Sequence, residues 1–199
     1  MTVEFKATST LPTRYGNFLI DVFIDAAGHE HMAILAGKPA DDCLVRIHSE
    51  CATGDIMGSL RCDCRDQLEA ALLKISESGH GMVIYMRGHE GRGIGLANKI
   101  KAYALQDLGR DTIEANIEQG LPCDAREYSA AIGILEHYGI KSIRLLTNNP
   151  GKIAALETGG IQVSEHVSLW IATNPHNKAY IDTKQKRMGH IGSWFSRKP

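Results

Sequence analysis

The chain lacks any long hydrophobic run. Nothing in its 199 residues approaches the roughly 20 apolar residues that a membrane-spanning helix needs. The first ten residues, MTVEFKATST, contain no apolar h-region, so a signal peptide is not expected and a cytoplasmic location is. Net charge is nearly absent, with 22 basic against 23 acidic side chains giving -1 at pH 7. No global positive field draws the protein to nucleic acid or an anionic membrane. Any polyanion must be held by a local cluster of Arg and Lys. Internal repeats and low-complexity linkers are missing too. Cysteine is sparse, and in a cytosolic chain its five copies are expected as thiols or metal ligands rather than disulfides. What remains is ordinary globular composition, 43% hydrophobic and 23% charged, in a chain long enough to bury a core without staples.

The periodicity of that hydrophobic content predicts an α/β fold. The first fifty residues read as strands: GNFLIDVFID, HMAILAG and CLVRIHSE are short apolar runs punctuated by Gly, Asp and Pro. From Asp66 the pattern becomes helical, with Leu68, Ala71, Leu72 and Ile75 on one stripe. GMVIYMR, SIRLLT and IQVSEHVSL then alternate as strands with the helices IGLANKIKAYALQDLG, REYSAAIGILEHYG and PGKIAALETGG, and AYIDTKQKRMGH reads as a last helix. The expectation is a single domain over residues 1–199. It has a β-rich antiparallel start and a mixed sheet flanked by helices. The basic KQKR run is expected to be a solvated helix face, and the tail 191–199 to fray.

Four constellations carry candidate chemistry. Cys51, Cys62 and Cys64 make a C-x(10)-C-x-C pattern in a Gly-rich, polar stretch. Thiolates favour zinc over magnesium or calcium, and the spacing is not that of a zinc finger. Three ligands leave a fourth position for water, the catalytic arrangement. A closed structural site with His48 or Cys43 as fourth ligand, and unliganded buried thiols, are the alternatives. In YMRGHEGRGIGL a buried strand meets a Gly-rich loop that opens a helix. Its backbone N–H groups, with Arg87 and Arg92, suit an anion, or the glycines simply serve a tight turn. It matches neither the P-loop nor the dinucleotide fingerprint. In DAREY, Asp124 and Arg126 fall on one side of an extended segment, or Asp124 caps a helix with Glu127 completing a capping box. In LLTNNPGK, Thr147 ends a strand and Lys152 enters a helix, where α/β sheets place ligands, although Asn-Asn-Pro-Gly is also turn chemistry.

Taken together, RIHSECATGD, SLRCDCRDQLEAAL, RGHEGRGIGL, KAYALQDLGRDTIEAN, DAREY and LLTNNPGK resemble the GTP cyclohydrolase II family, in order from Arg46 to Lys152. The loop reads RGHEGRG where some relatives have a shorter RQEGR, which leaves the Glu-Gly-Arg triplet intact. The resemblance implies zinc, one per chain, on Cys51, Cys62 and Cys64. It implies GTP contacts at Arg46, Ile47, His48, Ser49, Glu50, Gln67, Glu90, Gly91, Arg92, Thr112, Thr147 and Lys152. Asp124 matches the family's proton acceptor, Arg126 its proposed nucleophile and Tyr103 a tyrosine near the guanine. Magnesium accompanies the triphosphate, and the family works as a homodimer. The family reaction opens the guanine ring of GTP, giving a diaminopyrimidine ribosyl phosphate, formate and diphosphate, the first step of riboflavin biosynthesis. Rival readings are a variant that stops at the formamidopyrimidine or serves a secondary-metabolite pathway, a GTP pyrophosphohydrolase, and a guanine-nucleotide-binding module with structural zinc.

Overall fold

The run CLVRIHS forms strand β4 (Cys43–Ser49), and six of its seven residues are buried, as a strand covered on both faces requires. The computed structural model describes residues 2–169 and 171–188. Within them, seven strands make one mixed sheet. β1 (Val3–Thr13), β2 (Gly16–Asp25) and β3 (Glu30–Ala36) form an antiparallel meander. β5 (Gly81–Met86) pairs antiparallel with β3 and parallel with β4. β6 (Ser142–Leu146) and β7 (Gln162–Val167) continue the parallel half, giving the order β1-β2-β3-β5-β4-β6-β7. The fold is the expected α/β one.

Strand alternation sends neighbouring side chains to opposite faces. On one face, Leu44, Val83 and Leu146 pack against Ala71, Leu72 and Ile75 of α1 (Cys64–Ser78), the predicted stripe. On the other, Val45, Ile47, Ile84 and Leu145 meet Ala131, Ile134 and Leu135 of α5 (Ser129–His137) and Leu156 of α6 (Pro150–Thr158). Each fully buried Leu or Ile here contributes about 1.5–3 kcal/mol. By the same alternation Arg46 and His48 fall on the α1 side.

The site's position follows from strand order. From β4 the chain crosses through α1 to β5 on one side, then to β6 on the other. The carboxyl end of β4 is thus a topological switch point, outside which open α/β sheets place their ligands. Around it stand α3 (Leu96–Asp107), α4 (Thr112–Glu118), the one-turn α2 (Glu90–Gly93) and, from the far end of the chain, α7 (Lys178–Met188). No helix among the described residues is long and apolar enough to cross a membrane.

Several boundaries differ from the expectation. β1 was not among the anticipated runs, because most of its residues are exposed and it has no apolar stretch. α4 was also unforeseen. α5 starts at Ser129 rather than Arg126, which leaves DAREY extended. The tail 191–199 lies outside the described residues.

Candidate active site

The segment after β4 turns sharply through a single π turn, Ala52–Ile56, whose first residue follows Cys51. Asp55 fixes this turn. Its carboxylate accepts from the Cys51 backbone N–H (3.0 Å) and the Tyr85 hydroxyl (2.8 Å), and meets the His48 ring at 3.1 Å. Cys51 is thereby brought opposite Cys62 and Cys64 at the start of α1. The three sulfurs lie within 4.8 Å of one another, with Cys51 and Cys62 Sγ 3.7 Å apart. Tetrahedral zinc with bonds of about 2.3 Å separates its sulfurs by about 3.8 Å, so the cluster fits that ion. Among the described residues this is the one His/Cys/Asp/Glu group arranged to hold a metal. A closed four-ligand site finds no support. His48 is engaged with Asp55, and Cys43 lies at the far end of β4.

Gly54 makes the close approach possible. A Cβ there would stand 2.8 Å from Cys62 Sγ and 3.1 Å from Cys51 Sγ, and the Gly54 N–H points at Cys51 Sγ at 3.4 Å. Lys99 of α3 supplies a cation, its Nζ lying 3.0 Å from Cys51 Sγ and 2.6 Å from Glu90 Oε1. Glu90 in turn accepts from Ala52 N–H at 2.6 Å. Hydrogen bonds from Cys62 and Cys64, then Lys99, pull the Cys51 thiol far down, and the hydrogen bonds that Cys62 and Cys64 make to Cys51 push those two up. Tyr103, one turn beyond Lys99, lies under Arg61 at 4.5 Å, and burial raises its phenol to about 12.

The other end of the cleft is cationic. Arg46 donates to Leu146 O (3.0 Å) and Gln67 Oε1 (2.5 Å), while Lys152 donates to Ile47 O (2.7 Å). Both are about 5% exposed and neither has a salt bridge among the described residues. Burial without a carboxylate lowers both, Lys152 well below the ordinary lysine range. Arg46 Nε and His48 Nδ1 are buried with no hydrogen-bond partner among the described residues. Buried cations and the orphaned Arg46 N–H are the complement of an anionic ligand, whereas His48, whose Nε2–H goes to Asp55, offers an acceptor at Nδ1.

Arg126 closes the third side. Its guanidinium grips Asp124 through two nitrogens, Nε to Oδ1 at 2.8 Å, and reaches Ser49 Oγ at 3.4 Å. Burial pulls the guanidinium down, but Asp124 more than offsets this, so it stays a firm cation. Burial raises the Asp124 carboxyl and Arg126 more than offsets that, so it stays ionised. The capping-box reading of Asp124 is corrected here. Its Oδ1 accepts from the Arg126 N–H, the Ala125 N–H goes to Arg92 O (2.9 Å), and Tyr128 takes the N-cap position of α5 without a side-chain capping bond. The capping box stands instead at Asp111 and Glu114, where α4 begins. Arg92 adopts φ 67, a left-handed conformation, as the EGRG turn packs against Ala125. A side chain held in that sparsely populated region is a feature of ligand-gripping turns.

The expected residues divide clearly. At the end of β4, Arg46, His48, Ser49, Glu50 and Cys51 face the cleft. So do Gln67 on α1 and Glu90, Gly91 and Arg92 on the turn. Tyr103, Thr112, Arg126, Thr147 and Lys152 complete it. Ile47 does not face it: its side chain is fully buried in the core, and only its carbonyl takes part, through Lys152. Asp124 stands behind Arg126 rather than at the cleft wall. Arg87 faces Glu30 and Glu50 at 3.8–3.9 Å, away from the anion site. Missed were Lys99, His89 and Lys184, all buried or nearly so. His89 meets Ser49 Oγ at 3.2 Å, and burial, with Arg126 nearby, lowers it to about 4. No periodicity marks such residues, since a lysine on a helix normally reads as solvated.

Residues 4–168 match the family model described as GTP cyclohydrolase II. A GTP cyclohydrolase-2 of Acinetobacter baumannii is 51% identical over 96% of this chain and 97% of its own length. One of Picrophilus torridus is 49% identical over 95% of this chain and 99% of its own. The riboflavin biosynthesis protein RibBA of Salinispora tropica is 52% identical over 95% of this chain, which spans 48% of that longer protein.

Proposed function

The chain belongs to the GTP cyclohydrolase II family, and we propose that it hydrolyses GTP in this cleft, opening the imidazole ring of guanine and releasing formate and diphosphate. One juxtaposition carries the reading. A single cleft holds a three-sulfur cluster and, beside it, two buried cations, with neither a fourth ligand for the cluster nor a carboxylate partner for the cations among the described residues. Cys51, Cys62 and Cys64 would hold one zinc, which would supply Lewis-acid activation of water for the ring hydrolysis. The guanine therefore sits toward the sulfurs and Tyr103, and the triphosphate, with its magnesium, toward Arg46 and Lys152.

The protein's own groups do the rest. Lys99 and Glu90 hold Cys51 and the π turn in place. Tyr103, its phenol kept protonated, donates a hydrogen bond near the ring under attack. Arg126, its Nε and one terminal nitrogen held by Asp124, presents the other edge of its guanidinium to the α-phosphate. Because it remains a cation paired with Asp124, it acts as a clamp on developing charge rather than as a nucleophile. Asp124, kept ionised behind Arg126, holds the guanidinium in place and matches the family's proton acceptor. Ser49, Glu50, Gln67, Gly91, Arg92, Thr112 and Thr147 line the walls that position the nucleotide. The product feeds riboflavin biosynthesis, and the enzyme works in the cytoplasm as a homodimer. More-than-half-exposed apolar side chains at Ile56, Met57, Leu108 and Ile117 support the dimer.

Incubation with GTP, zinc and magnesium, with products separated by mass, tests the reading. Formate, diphosphate and a diaminopyrimidine ribosyl phosphate are expected. GMP without formate would mean a pyrophosphohydrolase, and a retained formyl group the truncated reaction. Tight binding without turnover would mean a binding module.

A further inference from the structure

The family model matches residues 4–168, yet the cleft wall does not end there. Tyr180 and Lys184 of α7 line the same cleft as Arg46, Arg126 and Lys152. The sequence places Lys184 in the basic KQKR run, expected to be solvated. Instead Lys184 is 7% exposed, and its Nζ lies 2.8 Å from Asp63 Oδ1, across 121 residues of chain. We propose that α7 is a working wall of the nucleotide site and that Lys184 is a polyphosphate-contacting residue held in position by Asp63. This rests on the reading of the cleft as a GTP site.

Three observations support it. First, Lys184 belongs to the cationic end. Its charge bears on Lys152, as do those of Arg46 and Arg126. Of these four, Arg126 and Lys184 are paired with Asp124 and Asp63, while Arg46 and Lys152 have no salt bridge among the described residues, so an anion bound at that pair also lies in the field of Lys184. Second, Lys184 is tied into the cleft by a relay. Asp63 Oδ2 accepts from Gln67 Nε2 at 2.6 Å, and Gln67 Oε1 accepts from Arg46. The C-terminal helix, the cysteine loop and the β4 arginine are thus positioned by one hydrogen-bonded chain. Third, the bond to Asp63 uses one of the three N–H donors that an ammonium carries, and Tyr180 lies alongside with its ring 4.2 Å from Nζ. The pair is a tether that presents the ammonium at the cleft.

Equilibrium binding to the zinc-loaded full chain tests this with a non-hydrolysable GTP analogue, GMP and guanosine. Lys184→Met should weaken the triphosphate about tenfold or more, as loss of a charge-assisted hydrogen bond does, and leave guanosine unchanged. Lys184→Arg should recover part of the loss. An equal loss for all three ligands would reduce α7 to a prop for the site's shape, and no loss would make it a bystander. Either result overturns the proposal. Wild-type protein that binds guanosine as tightly as the triphosphate would instead sink the GTP reading itself. Hydrogen exchange on wild-type protein gives an answer that no folding defect can obscure. Amides of residues 178–188 should slow with the triphosphate analogue and not with guanosine, and unchanged exchange with both would refute the assignment.

Discussion

Replacing Gly54 with alanine isolates the metal site from everything else in the cleft. Gly54 does not need a left-handed backbone, so alanine is conformationally allowed and only the added methyl acts. That methyl would stand 2.8 Å from Cys62 Sγ and 3.1 Å from both Cys51 Sγ and Cys64 Cβ. Unbonded heavy atoms rest at roughly 3.5–4.0 Å, so Cys62 Sγ must retreat by about 0.7 Å or more. Ligand bonds tolerate about 0.2 Å, so the sulfur cannot retreat that far and stay bound. Overpacking of this kind costs about 1–3 kcal/mol, which converts to a loss of zinc affinity of about 5- to 150-fold. Without metal the thiols turn away, so the melting temperature of the apo-protein should change little. The assay is chelator competition for zinc, with thermal melts of apo and loaded samples. A Gly54→Ala protein that binds one zinc with unchanged affinity would refute the argument that this glycine's empty face seats the cluster.

Other expectations follow from the same geometry. Lys152, its ammonium lowered by burial, should be raised again by a triphosphate beside it. Calorimetry in buffers of different ionisation enthalpy should show proton uptake on binding and affinity falling as pH rises. Lys152→Met should reduce the uptake, and a wild-type protein that takes up no proton would contradict this. Arg126→Lys keeps the charge but loses the fork that grips Asp124 and phosphate, so turnover should fall about a hundredfold. Near-normal rates would demote Arg126. His89, lowered from 6.5 to about 4 by burial, takes up its proton in the unfolded chain first. Its contribution therefore erodes stability as pH drops from about 6.5 toward 4, by about 2 kcal/mol at pH 5. His89→Gln should flatten that slope in urea titrations at pH 8 and 5, and identical slopes would show that His89 does not carry it.

Much of this was legible in the sequence. The α1 stripe, the buried parallel strands and the cysteine cluster follow from periodicity and donor type, and one cleft collects all but two of the family-matched GTP-contact and catalytic residues. Two of the D-x-x-E segments show where local pattern fails. Asp111-Thr-Ile-Glu114 and Asp124-Ala-Arg-Glu127 carry the same signal, yet only the first caps a helix. The difference is tertiary: Arg126 takes the Asp124 carboxylate, and Arg92 takes the Ala125 N–H. Ile47 illustrates a second limit, because motif matching does not say whether side chain or backbone contributes. Lys99 and Lys184 show a third. Burial of a lysine depends on partners 48 and 121 residues away, which no window of sequence contains.

The order of strands also sets a timetable. The β1–β2–β3 meander pairs neighbours in sequence and can form as soon as its first 36 residues exist. β4 can pair with β5, but its other edge has to wait for β6: Cys43 pairs with Ile143, a closure spanning 100 residues. Loop-closure entropy opposes such distant contacts until the intervening elements have collapsed, so this pairing should govern the folding rate. The catalytic cleft lies on that late seam. During synthesis the cysteine loop therefore leaves the ribosome long before β6 can complete the sheet beside β4.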